Sequence, residues 1–115
     1  MSGIASLFNV PTTPEELSSW ATSHASHHRD ISRRIYEISN GVIVLPEYLL
    51  DPIDPNNTGV WEAQHQIMHQ DMDAVLNING FDLSTVDFNN TEALTGWVQL
   101  NGNEHFIAAA ALGIG

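Results

Sequence analysis

WATSHASHH (residues 20–28), WEAQHQIMH (61–69) and WVQLNGNEH (97–105) carry one pattern three times. A tryptophan leads in each. A polar side chain follows four residues later (His24, His65, Asn101), and a histidine four residues after that (His28, His69, His105). Steps of four keep side chains near one face of an α-helix, drifting about 40° per step. The pattern therefore predicts three helices, each with an indole and two polar groups on one stripe.

The flanking residues set the ends of these helices. Thr13, Pro14 and Glu16 read as N-cap, first helical residue and capping-box partner. Leu17, Trp20, Ala21, His24, His28, Ile31, Ile35 and Ile38 then form a stripe. Asn40-Gly41 stops it, with Gly41 as the left-handed cap. The second stripe is Trp61, His65, Met68, Met72, Val75 and Leu76, closed by Asn79-Gly80. The third begins near Asn90, with Asn89 or Asn90 as cap, and runs through Leu94, Trp97, Asn101, Glu104, Ala108, Ala111 and Leu112. Gly96 and Gly102 weaken it by about 1 kcal/mol each relative to alanine, and they suggest close approach of a neighbouring backbone.

Between these stripes the chain is irregular. Pro46, Pro52, Pro55 and the run LDPIDPNNTG (50–59) prevent helix, with a short element conceivable over Val42–Leu50. Phe81, Leu83, Val86 and Phe88 anchor the second loop. The expectation is one all-α domain, a small antiparallel three-helix bundle with a Pro-rich extended connector and ordered loops. Its parts are an arm over 1–12, helices over 13–40, 59–78 and 91–112, a connector over 41–58 and a loop over 79–90.

Five histidines fall toward or beside the expected core. His24, His28 and His65 are central on their stripes, His69 lies at an edge and His105 on a flank. His27 is turned off the stripe and is expected to face solvent. A buried imidazole without a partner costs about 1–3 kcal/mol. One remedy is a metal: His at i and i+4 chelate one ion, and Glu104 or His105 completes the set. Zinc is the default for an imidazole-rich site, and iron or manganese would want more carboxylate. The other remedy is a hydrogen-bonded network using Asn101, Glu104, Asp30, Asp71, Asp73 or backbone carbonyls. The run HQIMH (65–69) lacks the glutamate that His-Glu-x-x-His hydrolysis needs, and a ferritin-type di-iron site is disfavoured. Trp20, Trp61 and Trp97, one per stripe at matching heights, read as core.

Composition narrows the function. The chain has 115 residues, no cysteine and a net charge of −11 from fourteen acidic and three basic residues. Disulfide, thiolate and iron–sulfur chemistry are excluded. Binding to nucleic acid or an anionic membrane is disfavoured by like-charge repulsion. No run of residues approaches the apolar length that spans a bilayer, and no targeting segment is evident. No phosphate loop or nucleophile elbow occurs, so no catalytic residue is expected. Asp71 and Asp73 read as solvated helix surface. Arg29, Arg33 and Arg34 read first as exposed ion pairs, and second as a positive spot that orients a partner. The apolar ends, with Leu7 and Phe8 at one and Leu112 and Ile114 at the other, either fold back or dock on neighbouring subunits.

HRDISRRIYE (28–37), LDPIDPNNTGVW (50–61), HQIMHQDMDAVL (65–76) and NEHFIAAAALGIG (103–115) resemble small structural proteins encoded by tailed bacteriophages, marine phages among them. The resemblance covers most of the chain and brings no catalytic motif. It implies a virion component, made in the host cytoplasm, that docks on other virion proteins and on copies of itself. Under that reading no cofactor is required. The alternative is a His-rich metal-binding bundle, possible in hydrolase-like form, stapled by a structural zinc.

Overall fold

The computed structural model describes residues 4–48 and 50–114. Residues 1–3 of the expected arm, residue 49 of the connector and residue 115 lie outside the described residues. The described chain is all-helical. A short 3-10 turn over Ile4–Phe8 precedes α1 (Pro14–Ile38), α2 (Gly59–Leu76) and α3 (Thr91–Leu112). No described residue is in a strand.

The helix starts follow their caps. Thr13 Oγ1 accepts from Glu16 N–H at 3.1 Å. The reciprocal arm of the capping box lands one residue early, with Glu16 Oε1 accepting from both the backbone N–H and the hydroxyl of Thr12 at 2.8 Å. Asn90 caps α3 by accepting from Ala93 N–H at 3.1 Å. At the far end of α1, Asn40 and Gly41 are both left-handed (φ 53 and 79), and Gly41 N–H reaches Tyr36 O at 2.8 Å. The stop of α2 differs from the expectation. Asn77, not Gly80, takes the left-handed conformation (φ 56, ψ 48), which asparagine tolerates better than most residues.

The helices are parallel, not antiparallel. Trp20, Trp61 and Trp97, all near helix N-termini, meet with ring centroids 5.8–5.9 Å apart in the pairs Trp20–Trp97 and Trp61–Trp97. Ile31, Ile35, Met72, Ala108 and Leu112, all in C-terminal halves, form a second cluster. Antiparallel neighbours would set indoles against these aliphatic residues. The long connections make the parallel arrangement possible. Residues 77–90, the shorter return, extend up to about 46 Å, against about 27 Å for α2. Each return climbs the side of the bundle. Ile43, Leu45 and Ile78 pack on the aliphatic end, while Leu50, Ile53, Leu83, Val86 and Phe88 pack on the indole end. Val42–Tyr48 adopts no regular element; Val42 and Val44 are exposed while Ile43 and Leu45 turn inward.

The parallel arrangement exposes a threefold internal repeat. Trp20 Nε1–H donates to Leu7 O (3.1 Å), Trp61 to Leu50 O (2.8 Å) and Trp97 to Leu83 O (3.3 Å). In each case the carbonyl belongs to a fully buried leucine in the segment that enters that helix. Val10, Ile53 and Val86, three residues after those leucines, pack on the same cluster. Eleven residues beyond each tryptophan stand Ile31, Met72 and Ala108, all buried.

At both ends the described residues pack back on their own chain. Leu7 is fully buried, and Leu112 is buried in the aliphatic cluster with Ile114 against it. The Phe8 ring lies over Gly102, where a Cβ would come within 2.6 Å of it. The close approach expected at Gly102 is therefore made by a ring rather than a backbone, and Gly96 has open space around it. Leu7 and Leu112 thus spend their apolar surface within the chain, while Phe8 and Ile114 stay half-buried. No described helix is long and apolar enough to cross a membrane.

Candidate metal centre

Between the indole end and the aliphatic end lies a plug of imidazoles. His24, His28, His65, His69 and His105 are all buried, and one ring nitrogen from each lies within 4.8 Å of all the others. Three helices converge to build it. The closest pairs are His24 Nε2 with His28 Nε2, His24 Nε2 with His65 Nε2, and His69 Nε2 with His105 Nε2, each at 3.2 Å. Asn101 Oδ1 stands 3.1 Å from His65 Nε2.

The surroundings are dry. Trp20 stacks on His24 at 4.5 Å and 13°, and Trp61 stacks on His65 at 4.7 Å and 11°. Phe88 sits among the three indoles at 5.5–6.2 Å. Burial accordingly holds these imidazoles neutral. It depresses His69 to about 3 and pushes His24, His28, His65 and His105 well below the usual histidine value. The neighbouring rings add to the depression of those four, and Asn101 opposes it at His24 and His65. Neutral imidazole is the form that binds metal.

Hydrogen bonding alone does not satisfy this cluster. A neutral imidazole has one N–H and one lone pair, on different nitrogens. His24 Nε2 touches two other ring nitrogens, yet it can pair with only one. His65 Nε2 touches both His24 and Asn101. A cation at the common centre accepts every lone pair at once. The outward nitrogens are partly oriented for that role. His69 Nδ1 is 3.2 Å from Glu104 Oε1, at ion-pair distance but outside hydrogen-bond angles. His105 Nδ1 is 2.7 Å from His27 Nδ1. Such outer partners fix the ring and raise its basicity.

Several expectations need correction. His27 is fully buried rather than solvent-facing. A helix touching two neighbours buries a wider arc than one stripe, and α3 packs on the side where His27 emerges. Glu104 does not point its carboxylate at the cluster centre. It accepts from Phe81 N–H at 3.2 Å and lies beside Asp73. Asp73 is half-buried there rather than solvated, and burial together with Glu104 pushes it up to about 8. Gly80 makes this approach possible, because a Cβ there would strike Asp73 Oδ2. Glu62 and His65 do have Glu-x-x-His spacing, a signal overlooked in discounting a ferritin-type site. It builds no ligand pair, since Glu62 accepts from Val86 N–H (2.8 Å) and Thr58 Oγ1 (2.9 Å). The remaining expected residues behave plainly. Trp20, Trp61 and Trp97 are core. Arg29 and Arg33 are exposed, while Arg34 pairs with Glu37 at 3.4 Å and donates to Leu112 O at 3.2 Å.

No protein-family profile, curated protein or solved structure matches the chain.

Proposed function

We propose that this chain is a metalloprotein built around one buried divalent transition-metal ion, held by His24, His28, His65, His69 and His105. The observation that carries the reading is the convergence of five neutral ring nitrogens within 4.8 Å, more than any hydrogen-bond pattern can pair. Imidazole donors suit zinc, copper, iron and nickel. All five rings are shut from solvent between aromatic and aliphatic layers, which favours a role in holding the fold over one in turning over a substrate. The test is elemental analysis of untagged protein purified without added metal or chelator. One ion per chain, with a lower melting temperature after chelation, is the expected result. Less than about 0.2 ion per chain after metal-supplemented expression, with no chelator effect, refutes it.

The outer face of α3 favours a second role, docking. Leu100, Phe106 and Ile107 are exposed there, and no charged side chain follows Glu104. Together with the half-buried Phe8 and Ile114, this face would be the contact to other virion proteins in the tailed-phage setting that the sequence resemblance implies. Mass spectrometry of purified particles tests it, and a chain found only in infected-cell lysate ends it.

A further inference from the structure

The histidine plug is the middle of the threefold repeat, and the repeat supplies six positions rather than five. Four residues after each tryptophan stand His24, His65 and Asn101; eight residues after stand His28, His69 and His105. These are two triads, one above the other along the common helix direction. In the upper triad the contacts are 3.2 Å (His24–His65) and 3.1 Å (His65–Asn101). In the lower triad His69 and His105 are 3.2 Å apart, with the His28 ring 4.4 and 4.8 Å from the His105 and His69 rings. His24 and His28 connect the triads at 3.2 Å.

Two stacked triads are the shape of an octahedron seen down its threefold axis. Six donors at about 2.2 Å from a centre stand about 3.1 Å from their neighbours and about 4.4 Å from their opposites. The observed contacts of 3.1–3.2 Å match the neighbour distance, and the 4.8 Å bound on the five histidine nitrogens leaves room for the opposite one. A tetrahedral zinc site with bonds of about 2.0–2.1 Å holds four donors about 3.4 Å apart and leaves the others unused.

Resting on the metal reading above, we infer that the site is six-coordinate, with the Asn101 side-chain oxygen as the sixth donor beside five imidazoles. Asn101 is fully buried, and its Oδ1 is turned into the upper triad. Among the described residues its Nδ2 makes no hydrogen bond that would hold the amide in another orientation. Such a shell has no open position for substrate, and it is the geometry that iron(II), cobalt(II) and nickel(II) prefer over the tetrahedron usual for structural zinc.

Cobalt(II) added to the metal-free, full-length protein is the probe. X-ray absorption is expected to show six nitrogen or oxygen neighbours, and the visible spectrum to be the weak one of a six-coordinate, near-octahedral ion. In Asn101→Ala one light neighbour is lost or exchanged for water, and stoichiometric binding weakens at least tenfold. Asn101→His, which completes the triad with a sixth ring, restores six neighbours and shifts the spectrum toward that of a six-nitrogen shell. An intense tetrahedral spectrum in the unsubstituted protein overturns the inference while leaving the metal reading intact. So does an Asn101→Ala variant with unchanged spectrum and affinity, since Asn101 then only accepts a hydrogen bond from His65. Absence of stoichiometric cobalt binding overturns both.

Discussion

Acidifying the metal-free protein challenges the buried rings directly. The five cluster histidines have folded pKa values depressed by burial, His69 to about 3. The unfolded chain takes up protons first, near pH 6.5. Stability is therefore complete above that pH and falls as pH drops toward the folded values. For His69 the full span is about 5 kcal/mol, of which about 2 kcal/mol is lost by pH 5. The other four rings are depressed in the same direction and add to this loss, against a whole-domain stability of about 5–15 kcal/mol. Asp73 works the other way. Its pKa, raised to about 8 by burial and by Glu104, favours its protonated folded form, so it gains stability as pH falls. Asp73 is only half-buried, so solvent screening leaves that gain smaller than the histidine loss. The metal-free chain should unfold cooperatively between pH 6.5 and 5, taking up about five protons. Denaturation midpoints followed by far-UV circular dichroism at pH 8, 6.5, 5.5 and 5, with chelator present, measure this. Midpoints that stay flat across the series refute the claim that these rings are buried and neutral.

Two glycines of α3 should respond with opposite signs. Gly96→Ala, with open space at its Cβ, is expected to stabilise by about 0.5–1 kcal/mol, whereas Gly102→Ala forces the Phe8 ring away and is expected to cost about 1 kcal/mol net; thermal melts of the two variants decide it. Trp61→Phe removes the 2.8 Å bond to Leu50 O, leaves that carbonyl unpaired and should cost about 1–3 kcal/mol, with faster amide exchange around Ile53. Glu104→Gln removes the carboxylate beside Asp73, so the Asp73 pKa should fall from about 8 toward the ordinary carboxylate range in an NMR titration. An unmoved Asp73 would assign its shift to burial alone.

Helix content was plain in the sequence. Thr13-Pro14-x-Glu16 and Asn90 marked starts to within a residue of those observed, because capping chemistry is local. Helix direction was written there too, though less visibly. All three stripes run indole, polar, polar, aliphatic in the same order, and only parallel neighbours put like beside like. The antiparallel expectation followed from the commonness of short-looped bundles and gave too little weight to residues 39–58 and 77–90, which are long enough to return. The imidazole convergence was legible from spacing at five positions. His27 and the Glu104–Asp73 pair were not, since both depend on where a second helix or loop presses. Gly80 was misplaced as the helix stop because its role is to let Asp73 and Glu104 approach, while Asn77 supplies the left-handed cap.

The indole-to-leucine straps make each helix, with the segment that enters it, one third of an interior rather than a small interior of its own. A lone third leaves its tryptophan and its donors in water, so it has no reason to fold by itself. Three identical unlinked copies of the second third, which keeps histidine at both donor positions, would present six equivalent rings. A self-assembling peptide trimer is thus the simplest object this architecture describes, and linking the units in one chain frees single positions such as Asn101 to diverge.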